Sequence, residues 1–578
     1  MAEQLEESKI ESIKSQSRHL RGTVSDALAD GTSHFGEENV QVLKFHGVYQ
    51  QDDRDGRTAA KREGREREYS LMIRARIPGG VLTPEQYLQF DRLADLSSGT
   101  LRITTRQTFQ LHGVLKGDLK HAMQEINAVL LTTLGGCGDQ VRNIICCADP
   151  TADDFHQQIR SDLLHLVDRL GARTKAYHEI WIDGEAQGIE EEPAGNEEPL
   201  YGEVYLPRKF KLGFTVEGDN CADIYANDIG IVAHRQPDAD AVAGYTLLVG
   251  GGMGRTAAFA DTYPRLATPV VFVKREELVD VCTEMVKIQR DFGNRTERRY
   301  ARFKYLLDSR GLDWFLSELA FRLARELQPA RTLTWQNGSD HLGWHEYGQD
   351  RLYLGLFILS GRIKDEGEFL LKSALQEIVQ TYALTIRLTQ QQNLLLCDIK
   401  PRDREVIETR LRMAGVQLPA KLPLTRLHAM ACPALPTCGL ATAESERVLP
   451  EVLAQMDALF EEIGLTDEAI SIRMTGCPNG CARPYIADIG FVGRTIGKYD
   501  LFLGGDLYGE HLNQLYQELV PLHEFAQILR PLLQEYKRKR HPGERFGAYC
   551  RRVGLSRLRT AGDAALYSVD EAAERRRR

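Results

Sequence analysis

DIGIVAHR at residues 228–235 and DIGFVGR at residues 488–494 are two copies of one motif, and together they decide the fold. An apolar run and a glycine turn follow each copy, and a segment with a proline and basic residues precedes it. In order, these flanking stretches are YTLLVGGGMGR (245–255) and YDLFLGGDLYG (499–509), and LPRKFKLGF (206–214) and CARPYIADIG (481–490). Because the same motifs recur in the same order, the sequence predicts an internal duplication.

A second echo lies upstream of each copy. LMIRARIPGG (71–80) leads through a helix-period segment to TLRITTRQTFQLHGV (100–114), and LYLGLFILSGRI (352–363) leads in the same way to ALTIRLTQQQNLLLCDI (383–399). β-Branched and apolar runs alternating with helical periodicity are typical of mixed α/β (α+β) domains. We therefore expect two related halves around a pseudo-two-fold axis, where a site would draw residues from both.

Composition excludes several classes of function. The chain has 578 residues and a net charge of −9, which argues against a nucleic-acid partner. No apolar run approaches the length of a membrane span, and the N-terminus is polar without a secretory leader. With eleven cysteines, the chain is expected in a reducing cytoplasm, where clustered cysteines indicate metals rather than disulfides.

Four cysteines near the C-terminus form two close pairs, Cys432 and Cys438 in CPALPTC and Cys477 and Cys481 in GCPNGC, with a predicted helix over 445–463 between them. Four thiolates suit zinc or an iron–sulfur cluster. The first pair is wider than the roughly two to four intervening residues of a zinc knuckle. The spacing thus favours a cluster but leaves structural zinc, or inert buried thiols, open.

The glycine run GGGMG does not match the G-x-G-x-x-G spacing of a dinucleotide site, and its counterpart at Gly504 also lacks that motif. We interpret both as turns whose backbone N–H groups approach an anionic group.

Basic residues in strand-like contexts suggest an anion site: Arg74, Arg76, Arg106, Arg142, Lys209 and Lys211. Lys209 and Lys211 alternate along a strand and so point to one face. Solvated surface charge is the alternative. The run RTERRYARFK (295–304) predicts a basic helix whose Arg302 and Lys304 either neutralise a polycarboxylate cofactor or face solvent.

CPALPTCGLA (432–441) and TGCPNGCARP (475–484) resemble the cluster-binding motifs of the sulfite and nitrite reductase family, which carries sirohaem and a 4Fe–4S cluster. The resemblance covers nearly the whole chain, from LRGTVSDAL (20–28) and KFHGVYQQDDRD (44–55) to GGDLYGEHLNQLY (504–516). It implies that the two halves enclose both cofactors.

The resemblance also assigns roles to individual residues. It implies that Cys432, Cys438, Cys477 and Cys481 bind the cluster, with Cys481 also the axial ligand of the sirohaem iron. It implies that Arg74, Arg142, Lys209 and Lys211 hold the substrate anion. Arg106, in RQTFQ, would lie beside the macrocycle, and Arg302 and Lys304 remain candidate cofactor-binding residues.

The implied domains are an N-terminal arm (1–60), a parachute-type, ferredoxin-like half domain (61–145), a sirohaem-binding domain (146–330), a second parachute-type domain (331–425), a domain with the cluster cysteines (426–570) and a basic tail (571–578). The arm, roughly residues 1–50, is either a docking segment for a partner or a disordered tail.

The expected activity is the six-electron reduction of sulfite to sulfide in sulfur assimilation and cysteine biosynthesis. The resemblance implies sulfite rather than nitrite, because relatives that reduce nitrite tend to carry an asparagine where this chain has Thr108 and Phe109 after the Arg106–Gln107 pair, and lack the CPALPTC sequence. Because no NADPH or flavin motif is visible, the resemblance implies a separate flavoprotein alpha subunit as electron donor. A ferredoxin-dependent sulfite or nitrite reductase and a zinc-stapled, non-catalytic scaffold are the alternatives.

Overall fold

A computed structural model describes residues 7–182, 197–256, 258–348 and 350–560, so the predicted basic tail at 571–578 lies outside the described residues. The chain divides into two compact units. One contains Met1–Gly252 and Ala267–Leu418, and the other contains Met253–Leu266 and Pro419–Arg578. Each unit has its own hydrophobic core.

Strands are numbered in chain order. They are β1 Val48–Asp52, β2 Tyr69–Arg74, β3 Val81–Leu82, β4 Leu101–Ile103, β5 Phe109–Val114, β6 Leu212–Val216, β7 Gly218–Asp219, β8 Ile229–Arg235, β9 Val242–Val249, β10 Thr268–Val273, β11 Gln328–Pro329, β12 Trp335–Asn337, β13 Gly343–Glu346, β14 Leu352–Leu356, β15 Arg362–Ile363, β16 Asp365–Glu366, β17 Phe369–Leu370, β18 Thr385–Leu388, β19 Leu394–Ile399, β20 Ala429–Ala431, β21 Ile472–Thr475, β22 Ile489–Thr495, β23 Lys498–Leu503 and β24 Gln514–Pro521.

Helices are numbered in the same way. They are α1 Lys9–Gln16, α2 Val24–Ala29, α3 Glu37–Leu43, α4 Arg57–Glu63, α5 Pro84–Leu93, α6 Leu119–Ala128, α7 Asp154–Arg169, α8 Ala176–Trp181, α9 Leu278–Phe292, α10 Phe303–Arg310, α11 Leu312–Leu323, α12 Leu371–Tyr382, α13 Arg404–Met413, α14 Leu424–Leu427, α15 Leu449–Ile463, α16 Phe525–Lys539 and α17 Phe546–Val553. Among the described residues, no helix is both long and apolar enough to cross a membrane.

Two five-stranded sheets of the first unit are related by the upstream echo. Their strand orders are β1-β2-β5-β4-β15 and β13-β14-β19-β18-β3. Each sheet takes its last strand from the other half of the chain, since β15 pairs with β4 and β3 pairs with β18. Equivalent glycines permit this exchange. A Cβ on Gly80 would lie 2.6 Å from the Leu388 carbonyl oxygen, and one on Gly361 would lie 2.3 Å from that of Ile103.

The DIG motifs begin equivalent strands in the two units. In the first unit β8 runs parallel to β6 and antiparallel to β9, and in the second β22 runs parallel to β21 and antiparallel to β23. Asp228 accepts a hydrogen bond from the backbone N–H of Lys211 (2.9 Å), and Asp488 accepts one from that of Ser471 (3.0 Å). The predicted duplication and mixed α/β fold are confirmed.

The described part of the N-terminal arm is built into the first unit. Residues 9–52 form three helices and β1, which pairs with β2. Lys14 Nζ donates to the carbonyl of Leu206 at 2.9 Å, and the N–H of Ser8 donates to that of Arg295 at 3.1 Å. A disordered tail is therefore wrong for residues 7–50.

The helix predicted over residues 295–304 is wrong. These residues form a short 3₁₀ turn, Arg298–Tyr300, and only the beginning of α10, because Arg302 is extended and its side chain reaches Asp228. In the glycine turn after β9, the N–H groups of Gly250 and Gly251 donate to the carbonyls of residues 228 and 227 at 2.9 Å, so the predicted approach to an anion is wrong for these two groups.

Candidate functional site: a four-thiol centre and a cationic cluster

Two parallel strands of the second unit deliver the cysteine pairs. Cys432 directly follows β20, and Cys477 follows the neighbouring β21 after one glycine. Because parallel strands end at the same sheet edge, both loops begin side by side. The predicted helix between the pairs is present as α15, which begins at Leu449 with Pro450 in its first turn.

Glycines let the two cysteine loops approach closely. The N–H of Gly476 donates to Cys432 Sγ at 3.3 Å, and its carbonyl accepts from the N–H groups of Thr442 (2.8 Å) and Ala443 (3.0 Å). A Cβ at position 476 would lie 2.4 Å from the Ala443 carbonyl oxygen. Gly480 has a positive φ of 62° in the turn that carries Cys481.

The electrostatics of the four thiols call for a metal. Burial raises the pKa of Cys432, and the neighbouring Cys481, Cys477 and Cys438 raise it further. Burial and the adjacent Cys481 raise the pKa of Cys477 to about 12. Without a metal to offset burial and the neighbouring thiols, Cys432 and Cys477 would stay protonated, so the donor set fits a cation that binds thiolates.

The first unit contains the predicted cations, which we call the cationic cluster: Arg74, Arg106, Arg142, Lys209, Lys211, Arg302 and Lys304. Three of them, Arg142, Lys209 and Lys211, lie on two neighbouring segments. Val141 bridges Phe210 in parallel, and the N–H of Arg142 donates to the Phe210 carbonyl at 2.8 Å. Phe210 is fully buried, so Lys209 and Lys211 on either side of it point away from the core. Arg142 alternates with buried Val141 in the same way.

Arg74 and Arg142 contact consecutive residues of one turn. Arg74 Nη1 lies 3.0 Å from Cys137 Sγ, and Arg142 Nε donates to the carbonyl of Gly138 at 2.9 Å. The structure therefore brings these two predicted anion-binding residues to the same turn.

Asp228 holds a further member of the cationic cluster, Arg302. Arg302 Nη2 lies 3.0 Å from both of its carboxylate oxygens, and this ion pair is buried. Lys304 Nζ donates to the Gly252 carbonyl at 3.2 Å, and a Cβ on Gly252 would lie 3.0 Å from Arg302 Nη2. Arg302 and Lys304 thus flank Gly252.

Arg106 has a different environment. Its guanidinium donates to Asn227 Oδ1 (2.6 Å) and to the carbonyls of Asn143 (2.5 Å) and Leu212 (2.7 Å). These bonds join three separate segments, so Arg106 positions the backbone around the cluster.

Lys211 is the most perturbed cation of the group. The enclosing protein atoms, then Lys209, Arg302 and Arg106, lower its pKa well below 10.5, against the opposing effect of Asp228. A lysine with a lowered pKa can release a proton near neutral pH.

Sequence reasoning missed the residues that hold this cluster: Asp228, Asn143, Asn227 and Gly252. Asp228 had a usable signal, because the aspartate opens both copies of the DIG motif. The amides carried none, since their partners lie far away along the chain.

The fold and the donor set define a class: a duplicated α/β metalloprotein with a thiolate-bound centre and a cation-rich cluster. Two family models match the chain. The model of the nitrite and sulphite reductase 4Fe-4S domain matches residues 166–327 and 427–566, and the model of the nitrite/sulfite reductase ferredoxin-like half domain matches residues 62–129 and 345–414. The chain belongs to the nitrite and sulphite reductase family.

Curated relatives cover almost the whole chain. It is 43% identical to the sulfite reductase (NADPH) hemoprotein beta-component of Staphylococcus haemolyticus, over 94% of this chain and 95% of the relative. It is 44% identical to the protein of the same name from Xylella fastidiosa, over 95% and 97%. The NirA protein of Mycobacterium tuberculosis shares the fold, with a TM-score of 0.74 over 95% of this chain and 97% of NirA, at 22% identity.

Proposed function

We propose that this chain is the haemoprotein subunit of an assimilatory sulfite reductase, which reduces sulfite to sulfide at a sirohaem coupled to a 4Fe–4S cluster, for cysteine biosynthesis in the cytoplasm. The observation that carries the proposal is that two neighbouring parallel strands bring the two cysteine pairs to one sheet edge, in a chain of this family. The names of the relatives support sulfite as the substrate.

The four cysteines would hold the cluster as thiolates. Cys432 and Cys477 are buried, whereas Cys481 is exposed, which suits a ligand shared with the sirohaem iron. When bound, the two cofactors supply the electron transfer that no side chain can provide. The protein contributes the ligands, the orientation and the surrounding charge.

Arg74, Arg142, Lys209 and Lys211 would hold the oxygens of sulfite. Arginine presents a fixed fork of N–H donors to an oxyanion and keeps its charge, so it binds without giving up its proton. Each S–O cleavage also needs protons. Lys211, whose pKa is lowered by enclosure and by neighbouring cations, is the proposed donor.

The remaining candidates would serve the macrocycle. Arg302 and Lys304, on either side of Gly252, would neutralise its carboxylates. Arg106 would act beside it mainly by positioning, because its guanidinium is held by Asn227 and two carbonyls.

The electron donor would be a flavoprotein alpha subunit that oxidises NADPH. The words "beta-component" in the relatives' names and the missing dinucleotide motif support it. The division into an arm, two parachute-type domains and two cofactor-binding domains at the boundaries given above is likewise proposed.

The proposal can be tested on the purified chain by its visible spectrum, its iron and acid-labile sulfide content, and sulfide release with an artificial reductant. We expect strong visible absorption and a preference for sulfite over nitrite. A colourless protein, or a coloured one that reduces nitrite alone, would refute it. Adding a flavoprotein subunit and NADPH then tests the donor separately.

A further inference from the structure

A second group of metal-ligating side chains lies within the first unit, apart from the four cysteines above. Its donor atoms belong to Cys147, Asp219, Cys221 and His341, and all lie within 4.8 Å of one another. The two sulfurs are 3.2 Å apart. His341 Nε2 lies 3.4 Å from Cys147 Sγ and 3.2 Å from Asp219 Oδ2, which is itself 3.9 Å from Cys147 Sγ.

These distances are close to the edges of a small tetrahedron, and the two sulfurs, at 3.2 Å, would move apart by about 0.6 Å on binding zinc. Zinc bonds of about 2.3 Å to sulfur and about 2.0 Å to nitrogen or oxygen give ligand separations of about 3.3–3.8 Å. Two thiols and an imidazole favour zinc over magnesium or calcium, which prefer oxygen ligands. We propose that Cys147, Asp219, Cys221 and His341 bind one structural zinc ion.

The fold prepares each ligand. The N–H of Cys147 donates to the Phe214 carbonyl of β6 at 3.1 Å. Asp219 belongs to β7, and its Oδ1 accepts from the N–H of Cys221 at 2.8 Å, which leaves Oδ2 directed at His341. Such outer hydrogen bonds fix the orientation of ligating groups.

His341 is held through its neighbour. The N–H of His341 donates to Asp340 Oδ1 at 3.2 Å, while Asp340 Oδ2 accepts from Asn393 Nδ2 at 2.9 Å and from the hydroxyl of Thr389. The histidine is therefore tied to the end of β18 and the turn that follows it.

Burial indicates a structural rather than a catalytic ion. Cys221 is fully buried, and the side chains of His341 and Asp219 are only 12% and 16% exposed. Four protein ligands complete the coordination of zinc, so no position remains for substrate. A disulfide between the two cysteines is the competing use of these thiols, although both are free.

The ion would join three segments that are distant in sequence. The segment ending at Cys147 also carries Arg142 and Asn143 and bridges β6 at Ile145, so zinc would fix the end of the segment that bears part of the cationic cluster. Losing the ion should loosen this segment and lower thermal stability, while the four-thiol centre in the other unit keeps its own ligands.

Zinc K-edge X-ray absorption of the holoprotein, purified without chelators from zinc-supplemented medium, tests the site independently of iron. We expect roughly one zinc per chain with two sulfur ligands at about 2.3 Å and two nitrogen or oxygen ligands at about 2.0 Å. Absence of stoichiometric zinc, a shell without sulfur, or a Cys147–Cys221 disulfide found by mass spectrometry would overturn the proposal.

Matched variants localise the ion. Cys221→Ala should abolish stoichiometric zinc, and His341→Ala should lower zinc affinity by tenfold or more. Cys282→Ala removes an equally buried thiol from α9 and should keep the zinc. If Cys221→Ala does not fold, His341→Ala, at the less buried ligand, decides. Full zinc retention in either ligand variant contradicts the assignment.

Discussion

Replacing Gly476 with alanine should disrupt the four-thiol centre specifically. The new Cβ would lie 2.4 Å from the Ala443 carbonyl oxygen and 2.5 Å from the Ala434 Cβ, whereas real Cβ contacts are essentially never below 3.0 Å. The loops that carry Cys432 and Cys477 must then separate by roughly 0.6 Å or more. Metal–ligand distances tolerate deviations of only about 0.2 Å, so the displacement exceeds what the ligands can absorb.

Gly476→Ala should lower the stability of the second unit only modestly, although it should lose most of its metal. Overpacking of this kind costs about 1–3 kcal/mol, which lowers the Tm of a unit of this size by roughly 2–12 °C. The chain should therefore still fold, but with less than half of the iron and acid-labile sulfide of the wild type.

Gly439→Ala is the matched control, because that glycine directly follows Cys438 and a Cβ there would meet nothing within 4 Å. Iron, acid-labile sulfide and Tm should match the wild type. If Gly476→Ala retains the full complement of iron and sulfide, the proposed close approach of the two loops around a cluster is refuted.

Three further predictions concern single side chains. Lys211→Met should reduce sulfite turnover by roughly 10²-fold or more with an unchanged haem spectrum. The matched control Lys498→Met, at an exposed lysine, should keep the wild-type turnover. If the turnover of the two variants is the same at every pH, Lys211 has no part in the mechanism. Gln107→Ala should cost about 2–4 kcal/mol in denaturant unfolding, because the buried amide bonds Cys146 and Leu388; a loss no larger than that of the exposed Gln336→Ala contradicts this. Glu198→Gln should flatten the dependence of Tm on pH. Burial raises the pKa of Glu198 from 4.5 to about 7. Its contribution to the free energy of unfolding, about 3 kcal/mol, is therefore complete below pH 4.5 and lost as pH rises through 7. If the slope of Tm against pH is the same in Glu198→Gln as in the wild type, this reasoning is refuted.

The duplication and the cysteine pairs could be predicted because each rests on local sequence. A DIG motif repeated with its flanks identifies equivalent strands, and paired cysteines with glycines between them predict a metal-binding loop. The helix predicted between the pairs is present, although it begins at Leu449, with Pro450 in its first turn, rather than at Ser445.

The strand exchange could not be predicted, because β3 and β15 have two residues each and carry no periodic pattern. The ligands Cys147 and His341 were missed for a related reason. They lie nearly 200 residues apart, and neither stands in a motif with metal-ligand spacing. The basic run 295–304 misled because charge pattern suggested a helix, while the ion pair of Arg302 with Asp228 requires an extended backbone.

The two copies of the DIG aspartate show how one scaffold came to hold two chemistries. Both use a carboxylate oxygen to accept the N–H of the preceding parallel strand, at Lys211 and at Ser471. The other hydrogen bonds that the two carboxylates accept are different. Asp228 accepts from the Arg302 guanidinium, whereas Asp488 accepts from the Ser471 hydroxyl and from the N–H of Gly547 at the start of α17.

The backbone role is therefore shared, and the charge is not. The Arg302 guanidinium offsets the charge of Asp228 beside Lys211, whereas Asp488 is bonded to neutral donors at the start of β22, at the sheet edge opposite the cysteine loops. In the proposed function, the first unit supplies the cations of the anion site and the second unit supplies the cluster cysteines, so one backbone arrangement serves two chemistries.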